Sequence, residues 1–341
     1  MKEVLTIEKT VVWFGESFLQ EAFHFSERSV LILDEKVTAP LPLHFCDHVI
    51  RVPGGEGIKT RTSWTQLQDE LLAKDFSRDT HIIACGGGAT LDLVGFLAAT
   101  YAYGVRLTYI PSTLLGMCDG AIGGKNGINV GKVKNAIGTI YHPKRVIIDV
   151  SLLEKLPLHE LNNGIIEMIK HAILDRESSL LRLEGRIRAI QRKESKILLE
   201  EIEKSMLVKK RYMEGVSLRG FVHFGHTFGH AIEALEDFYI SHGQAVALGI
   251  LAESYMAFLL NELPKEDFQL IKRVISSVGI PLALSKKFSL SQWKEVFGSP
   301  RFVLLQGIGS VHEKMVEISQ DVVEEAIEWI QEEVFLNTSL E

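Results

Sequence analysis

Cysteine is scarce. There are three in 341 residues, Cys46, Cys85 and Cys118, and they lie far apart in the chain. That excludes a disulfide framework and a thiolate zinc site, and it fits reduced thiols in a cytosolic protein. Long apolar runs are missing too. The most apolar long window, Ala245–Leu260, contains Glu253 and Ser254 and is too short to span a membrane, so it reads as a buried helix. The opening residues, MKEVLTIEKT, carry acids early and lack the apolar stretch of a secretory signal. There is no Pro/Ser-rich linker, no internal repeat and no low-complexity segment. Positive charge is not in excess. With 37 Lys+Arg against 44 Asp+Glu, the net charge is −7. That gives no global reason to expect nucleic acid or an anionic membrane as partner, so an anionic ligand must be held by a local arrangement.

What is present is a chain able to bury a core. Apolar residues make up 46% and charged residues 24%, which argues against disorder. At roughly 100–200 residues per domain, the length suggests two domains. Short apolar runs at Val30–Leu33, Val49–Val52, His81–Ala84, Leu107–Ile110 and Val146–Val150 read as buried strands. Between them, Trp64–Lys74 and Leu91–Tyr101 carry apolar residues at helical spacing. Such alternation predicts a parallel sheet covered on both faces. After Leu156-Pro157 the texture becomes helical, over Glu160–Leu174, Ser178–Met213, Thr227–Leu235, Gly243–Leu260 and Lys265–Val278. The expected domains are 1–155, α/β, and 156–341, mainly helical.

Three segments carry chemistry. Cys85-Gly86-Gly87-Gly88-Ala89-Thr90-Leu91-Asp92 follows a strand and opens a helix. Glycines there admit a pyrophosphate, and free amides at the helix start suit an anion, although the segment is not the GxGxxG fingerprint. Upstream, Pro53-Gly54-Gly55-Glu56-Gly57-Ile58-Lys59-Thr60 places a Glu and a Lys at the carboxyl edge of the sheet. A third segment, Asp119–Gly138, concentrates Gly, Lys and Asn. Its ammonium and amide groups can donate to phosphate oxygens.

The helical half holds a carboxylate and histidine constellation. In Phe224-Gly225-His226-Thr227-Phe228-Gly229-His230-Ala231-Ile232-Glu233, two histidines four apart share a helical face, about 6 Å from each other. His242-Gly243-Gln244 follows, and Glu167 and Lys170 share a face of the earlier helix. Catalytic zinc typically takes three protein N/O ligands and leaves one position open. Glu167 with two of His226, His230 and His242 would satisfy that. Spacing leaves open which two, and whether the third histidine is an acid/base group.

With these segments in order, the chain resembles the 3-dehydroquinate synthases of the sugar phosphate cyclase superfamily, from about Val30 to Gly309. The resemblance implies an N-terminal Rossmann-like α/β domain with a parallel sheet that binds NAD. It implies a mainly α-helical C-terminal domain that binds a divalent metal, zinc with cobalt as an alternative. Glu167, His226 and His242 match the metal ligands, and His230 matches a non-ligand histidine near the substrate phosphate. Asp34, Glu56, Lys59, Gly87, Gly88, Asp92, Ser112, Thr113, Leu115, Asp119, Lys125 and Lys134 match residues at the NAD site. Asp119, Lys125, Asn135, Lys170, Arg219 and His230 match residues around the substrate. The implied enzyme is a cytoplasmic homodimer that converts 3-deoxy-D-arabino-heptulosonate 7-phosphate into 3-dehydroquinate and phosphate.

The chain departs from the family pattern around the anion clamp. Tyr103 stands where the family has an arginine, His223 where it has an asparagine, and Lys155 where it has a threonine. The family lysine on the helix before Arg219 falls in a shortened segment, with Lys209 as the candidate. The C-terminal Asp-Lys-Lys motif is missing from Ser291–Leu305, where only Lys294 lies near. Two alternatives follow: a related cyclase acting on another sugar phosphate, and a non-catalytic relative that keeps the fold.

Overall fold

Near-continuous apolar runs become buried strands. The computed structural model describes residues 2–23, 28–131, 133–215, 220–237, 239–298 and 300–337. The chain divides into two compact units, residues 1–161 with 193–202, and residues 162–192 with 203–341.

The first unit is built on a seven-stranded sheet. Its strands are β1 (Lys2–Ile7), β2 (Thr10–Gly15), β3 (Ser29–Asp34), β4 (His48–Val52), β5 (His81–Gly86), β6 (Arg106–Pro111) and β9 (Arg145–Asp149), in the order β1-β2-β9-β6-β5-β3-β4. All neighbours are parallel except β1 and β2, which form an antiparallel edge. Every residue of β3 and β5 is buried, as central strands of a parallel sheet require. A separate antiparallel hairpin, β7 (Lys125–Val130) and β8 (Val133–Ile140), carries the Lys/Gly/Asn segment. Helices α1 (Leu19–Ala22), α2 (Arg61–Ala73) and α3 (Gly88–Thr100) belong to this unit.

Strand order places a ligand edge. From β3 the chain goes outward to β4, then returns to β5 on the other side of β3. Crossover connections leave in opposite directions there, and a crevice opens beyond the carboxyl ends of the strands. Asp34 ends β3 and Gly86 ends β5, so both flank this point.

The second unit is mainly helical. Along the chain come α4 (Leu158–Asp175), α5 (Glu177–Glu184), α6 (Ile187–Gln191), α7 (Ser195–Glu214), α8 (His226–Leu235), α9 (His242–Leu259), α10 (Lys265–Ser277), α11 (Leu290–Phe297) and α12 (Gln320–Asn337), with α4 up to residue 161 and α7 up to residue 202 counted in the first unit. A small two-stranded piece joins β10 (Leu305–Gly307) to β11 (Ser310–Val311). The expected single helix over Ser178–Met213 is three helices. Gly185 closes α5, and Lys193, in the left-handed region at φ 59°, separates α6 from α7. His242, expected in a loop, is the first residue of α9.

Helix α9 is buried nearly all round, as its apolar sequence foretells. It meets α8 at glycines. A Cβ on Gly249 would lie 1.9 Å from the Gly225 carbonyl oxygen and 2.8 Å from the Gly229 nitrogen. A Cβ on Gly225 would lie 2.5 Å from Ile250. These contacts bring the two helices as close as their backbones allow. Gly249→Ala must push them apart, and we expect a loss of about 1–3 kcal/mol, read by chemical denaturation against the unsubstituted chain.

Candidate active site

Burying a carboxylate requires compensation, and Glu167 is buried completely on α4. One turn later Lys170, 2% exposed, brings its Nζ to 2.5 Å from Glu167 Oε2. His226, the first residue of α8, places Nε2 3.3 Å from Glu167 Oε1, and His242 places its Nε2 3.5 Å from the same oxygen. These contacts are charge pairs, and among the described residues neither Glu167 oxygen has a partner that meets strict hydrogen-bond geometry. Burial opposes ionisation of Glu167. The Lys170 ammonium and the His226 ring overcome that, and its carboxyl stays well below the usual range. For His242, burial opposes the charge, but Glu167 and Glu233 outweigh it and raise the ring to about 9.

The opposite ring nitrogens are tied outward. His226 Nδ1 lies 3.1 Å from the Phe224 carbonyl oxygen, and His242 Nδ1 lies 3.2 Å from Glu233 Oε1. Both partners are acceptors, so each Nδ1 keeps its proton, and the Nε2 that faces Glu167 is the nitrogen left to bind a cation once it gives up its own proton. Imidazoles that ligate metals are held in this way. The ligand atoms of Glu167, His226 and His242 lie within 4.8 Å of one another. A buried carboxylate with two imidazole Nε2 atoms converging on it fits a divalent cation with one position left open, the cation taking the place of the Nε2 proton. His230, exposed one turn further along α8, has its ring centre 5.4 Å from that of His226 and 6.5 Å from that of His242.

Local capping sets these positions. Ser241 caps α9 in a reciprocal arrangement with Gln244, fixing the start of the helix at His242. The Ser241 hydroxyl also donates to Asn163 Oδ1 at 2.8 Å, one turn before Glu167 on α4. A Cβ on Gly243 would lie 2.5 Å from the Asn163 Cα. Glu253, fully buried on α9, accepts the backbone N–H groups of Gly225, Thr227 and Phe228. Burial pushes its carboxyl up to about 8, against the pull of those three donors. None of Asn163, Glu233, Ser241 and Glu253 is singled out by sequence. For Glu233 a signal existed, a carboxylate on the same short helix as the histidines.

The sheet unit gathers the other candidates at its carboxyl edge. Asp34 is buried, accepts from the Lys36 N–H (2.9 Å) and the Thr90 hydroxyl (3.3 Å), and fills the space where Gly54 would carry a Cβ. Gly87 precedes α3 without any side-chain cap, and a Cβ on Gly88 would meet nothing within 4 Å. The start of α3 therefore lacks a side-chain cap and leaves room for a ligand at Gly88, as a helix start suited to pyrophosphate does. Ser112 is buried after β6, and the Thr113 hydroxyl accepts the Gly116 N–H at the turn leading past Leu115. Asp119 lies on a π-helical turn, Gly116–Gly120.

Lys59 organises one corner. Only 3% exposed, it donates to Asp92 Oδ2 (2.7 Å) and Asn135 Oδ1 (2.6 Å), with Glu56 Oε1 at 3.6 Å. Asn129 donates to Glu56 Oε1 and accepts the Asn135 N–H, both at 2.8 Å. Asn135, read from sequence beside the substrate, is thus anchored within this corner and held at φ 50°. Lys125 and Lys134 lie on the two hairpin strands. Arg219 lies outside the described residues.

The departures from the expected pattern also have places. Tyr103 is 96% exposed at φ 66°. Lys155 is exposed, and Lys209 is buried on α7. Lys294 pairs with Glu324 of α12 at 2.8 Å. The ring centre of His223 is 6.1 Å from that of His226.

The 3-dehydroquinate synthase N-terminal family model matches residues 49–163, and the 3-dehydroquinate synthase C-terminal model matches residues 164–299. The chain belongs to the 3-dehydroquinate synthase family. A 3-dehydroquinate synthase of Colwellia psychrerythraea is 33% identical over 326 residues, covering 89% of this chain and 92% of the relative. One from Saccharolobus solfataricus is 37% identical over 264 residues, covering 76% and 73%. Among solved structures, a 2-deoxy-scyllo-inosose synthase complexed with carbaglucose-6-phosphate, NAD+ and Co2+ shares the fold. Its TM-score is 0.85 at 22% identity, covering 95% of this chain and 99% of that one. So does the 2-epi-5-epi-valiolone synthase of Streptomyces hygroscopicus subsp. jinggangensis with NAD+ and Zn2+ bound, at TM-score 0.85 and 24% identity, covering 98% of each chain.

The geometry separates the histidines experimentally. His226→Ala should lose bound zinc and His230→Ala should keep it, measured as zinc per chain after dialysis. Glu233→Ala should bind zinc about 10–100-fold more weakly, the usual cost of removing a carboxylate behind a ligating histidine.

Proposed function

We propose that this chain converts 3-deoxy-D-arabino-heptulosonate 7-phosphate into 3-dehydroquinate and phosphate, a shikimate-pathway step in aromatic amino acid biosynthesis. The observation that carries this reading is the Glu167–His226–His242 centre with Lys170 buried beside it, in a chain whose two halves both match the family. Four conversions compose the reaction: oxidation of a ring hydroxyl, β-elimination of phosphate, re-reduction, and ring opening with aldol closure. Bound NAD supplies the hydride acceptor and returns the hydride, while a zinc or cobalt ion on Glu167, His226 and His242 supplies Lewis acidity.

The chain's own groups do the rest. The open amides at Gly87 and Gly88 hold the pyrophosphate of the dinucleotide, and Asp34 and Glu56 bind its remaining polar groups. Lys59 is held between Asp92 and Asn135 at the sheet edge. Ser112, Thr113, Leu115 and Asp119 complete the cofactor contacts. Lys125, Lys134 and Asn135 offer ammonium and amide donors to the substrate phosphate. His230, exposed on α8, offers an imidazole that can donate to the phosphate or move a proton. Lys170 holds positive charge beside the centre, where it favours developing negative charge on the substrate. Arg219 supplies a fork that suits the substrate carboxylate. The proposal includes a cytoplasmic homodimer. Among the described residues no helix is long and apolar enough to cross a membrane.

Tyr103 favours testing a second substrate class, because it brings no charge to a position where the family uses arginine. Phosphate release should be measured with NAD and zinc present. Release from the heptulosonate phosphate, abolished in Lys170→Ala, is the expected result. Release only from another sugar phosphate would overturn the substrate assignment, and no turnover of any sugar phosphate would overturn the enzymatic reading.

A further inference from the structure

Helix α8 starts with a deficit. Its first amides have no partner within the helix, and a Ser, Thr, Asp or Asn at the preceding position would normally supply one. That position is Gly225, at φ 77°, and no side chain fits there because a Cβ would lie 2.5 Å from Ile250. The cap comes from another helix. Glu253 of α9 accepts the Gly225 N–H with Oε2 (2.8 Å), and the Thr227 (3.1 Å) and Phe228 (3.3 Å) N–H groups with Oε1.

These three donors bracket His226 on both sides. The same carboxylate belongs to α9, whose first residue is His242. Two of the three metal ligands are therefore joined by one rigid path, running from His242 along α9 to Glu253 and across to the start of α8. With the Nδ1 of His226 held by the Phe224 carbonyl, the first turn of α8 cannot rotate or slide without breaking several buried hydrogen bonds. A fully buried acidic side chain in so apolar a helix is costly to keep, and nothing in the chemistry of the proposed reaction uses it. We propose that Glu253 is a positioning residue that fixes His226 for metal binding. The inference rests on reading Glu167, His226 and His242 as a metal centre.

The test compares the full chain with Glu253→Gln, Glu253→Ala and Ile232→Ala. Ile232 is buried on the same helix but away from its start, so its truncation loosens α8 without touching the cap. Zinc affinity is measured by competition with a chromophoric chelator, the ligand field by the visible spectrum of the cobalt form, and stability by thermal unfolding. We expect Glu253→Ala to bind zinc at least 10-fold more weakly, with an altered cobalt spectrum. Glu253→Gln, which keeps an acceptor for Thr227 and Phe228, should fall between it and the unsubstituted chain, and it decides the matter if the alanine variant does not fold. Ile232→Ala should unfold at a lower temperature and keep both affinity and spectrum. Unchanged affinity and spectrum in a folded Glu253→Gln, or an equal loss in Ile232→Ala, would overturn the inference. An unsubstituted chain that takes up no zinc would overturn the metal reading itself, and that outcome is visible before any variant is compared.

Discussion

The whole of the second unit is arranged around one buried negative charge. Glu167 has no solvent contact, yet the Lys170 ammonium and the His226 ring hold its carboxyl well below the usual carboxylate range. A lone carboxylate in such a place is heavily penalised. Here a lysine one helical turn away and two imidazole nitrogens surround it. Each imidazole is turned toward it by an acceptor on its far side. A folded core would be easier to build with an apolar residue at this position. The arrangement is intelligible as a seat for a cation.

That seat is only as good as the helices that carry it. Backbone contact between Gly249 and Gly225 brings α8 against α9, and the Ser241–Asn163 hydrogen bond ties the start of α9 to α4. The three candidate ligands, from three helices, then depend on three kinds of local chemistry: close glycine packing, a capping box, and a cap supplied by Glu253. The sheet unit solves a separate problem with separate means. Its carboxyl-edge switch point follows from strand order, its proposed anion site from an uncapped helix start, and its charged corner from Lys59 held between Asp92 and Asn135.

Much of this was legible in the amino-acid order. Five of the seven sheet strands announced themselves, four of them because residues buried on both faces of a parallel sheet must be apolar throughout, and the fifth, β4, at the sheet's edge by a shorter run. Strands β1, β7 and β8 mix polar residues into the run, whereas the Val11–Phe14 run of β2 did carry a signal. In the hairpin the strands approach closely, and a Cβ on Gly138 would lie only 2.6 Å from the Asn126 carbonyl oxygen. Helix periodicity ran through Gly185 and Lys193, where the backbone turns, because the apolar pattern continues on either side. Among site residues, those that contact ligands have distinctive types at distinctive spacings. The residues that hold them, such as Asn163, Glu233 and Glu253, act across helices, and no linear spacing encodes that.

The central claim is that Glu167, His226 and His242 hold one divalent cation and that His230 does not. Anomalous diffraction at the zinc edge, from crystals grown with zinc and NAD, tests it directly. The account predicts a single strong peak about 2.0–2.2 Å from a Glu167 oxygen and from the Nε2 atoms of His226 and His242. A peak coordinated by His230 in place of either histidine, or no peak at Glu167, would contradict it.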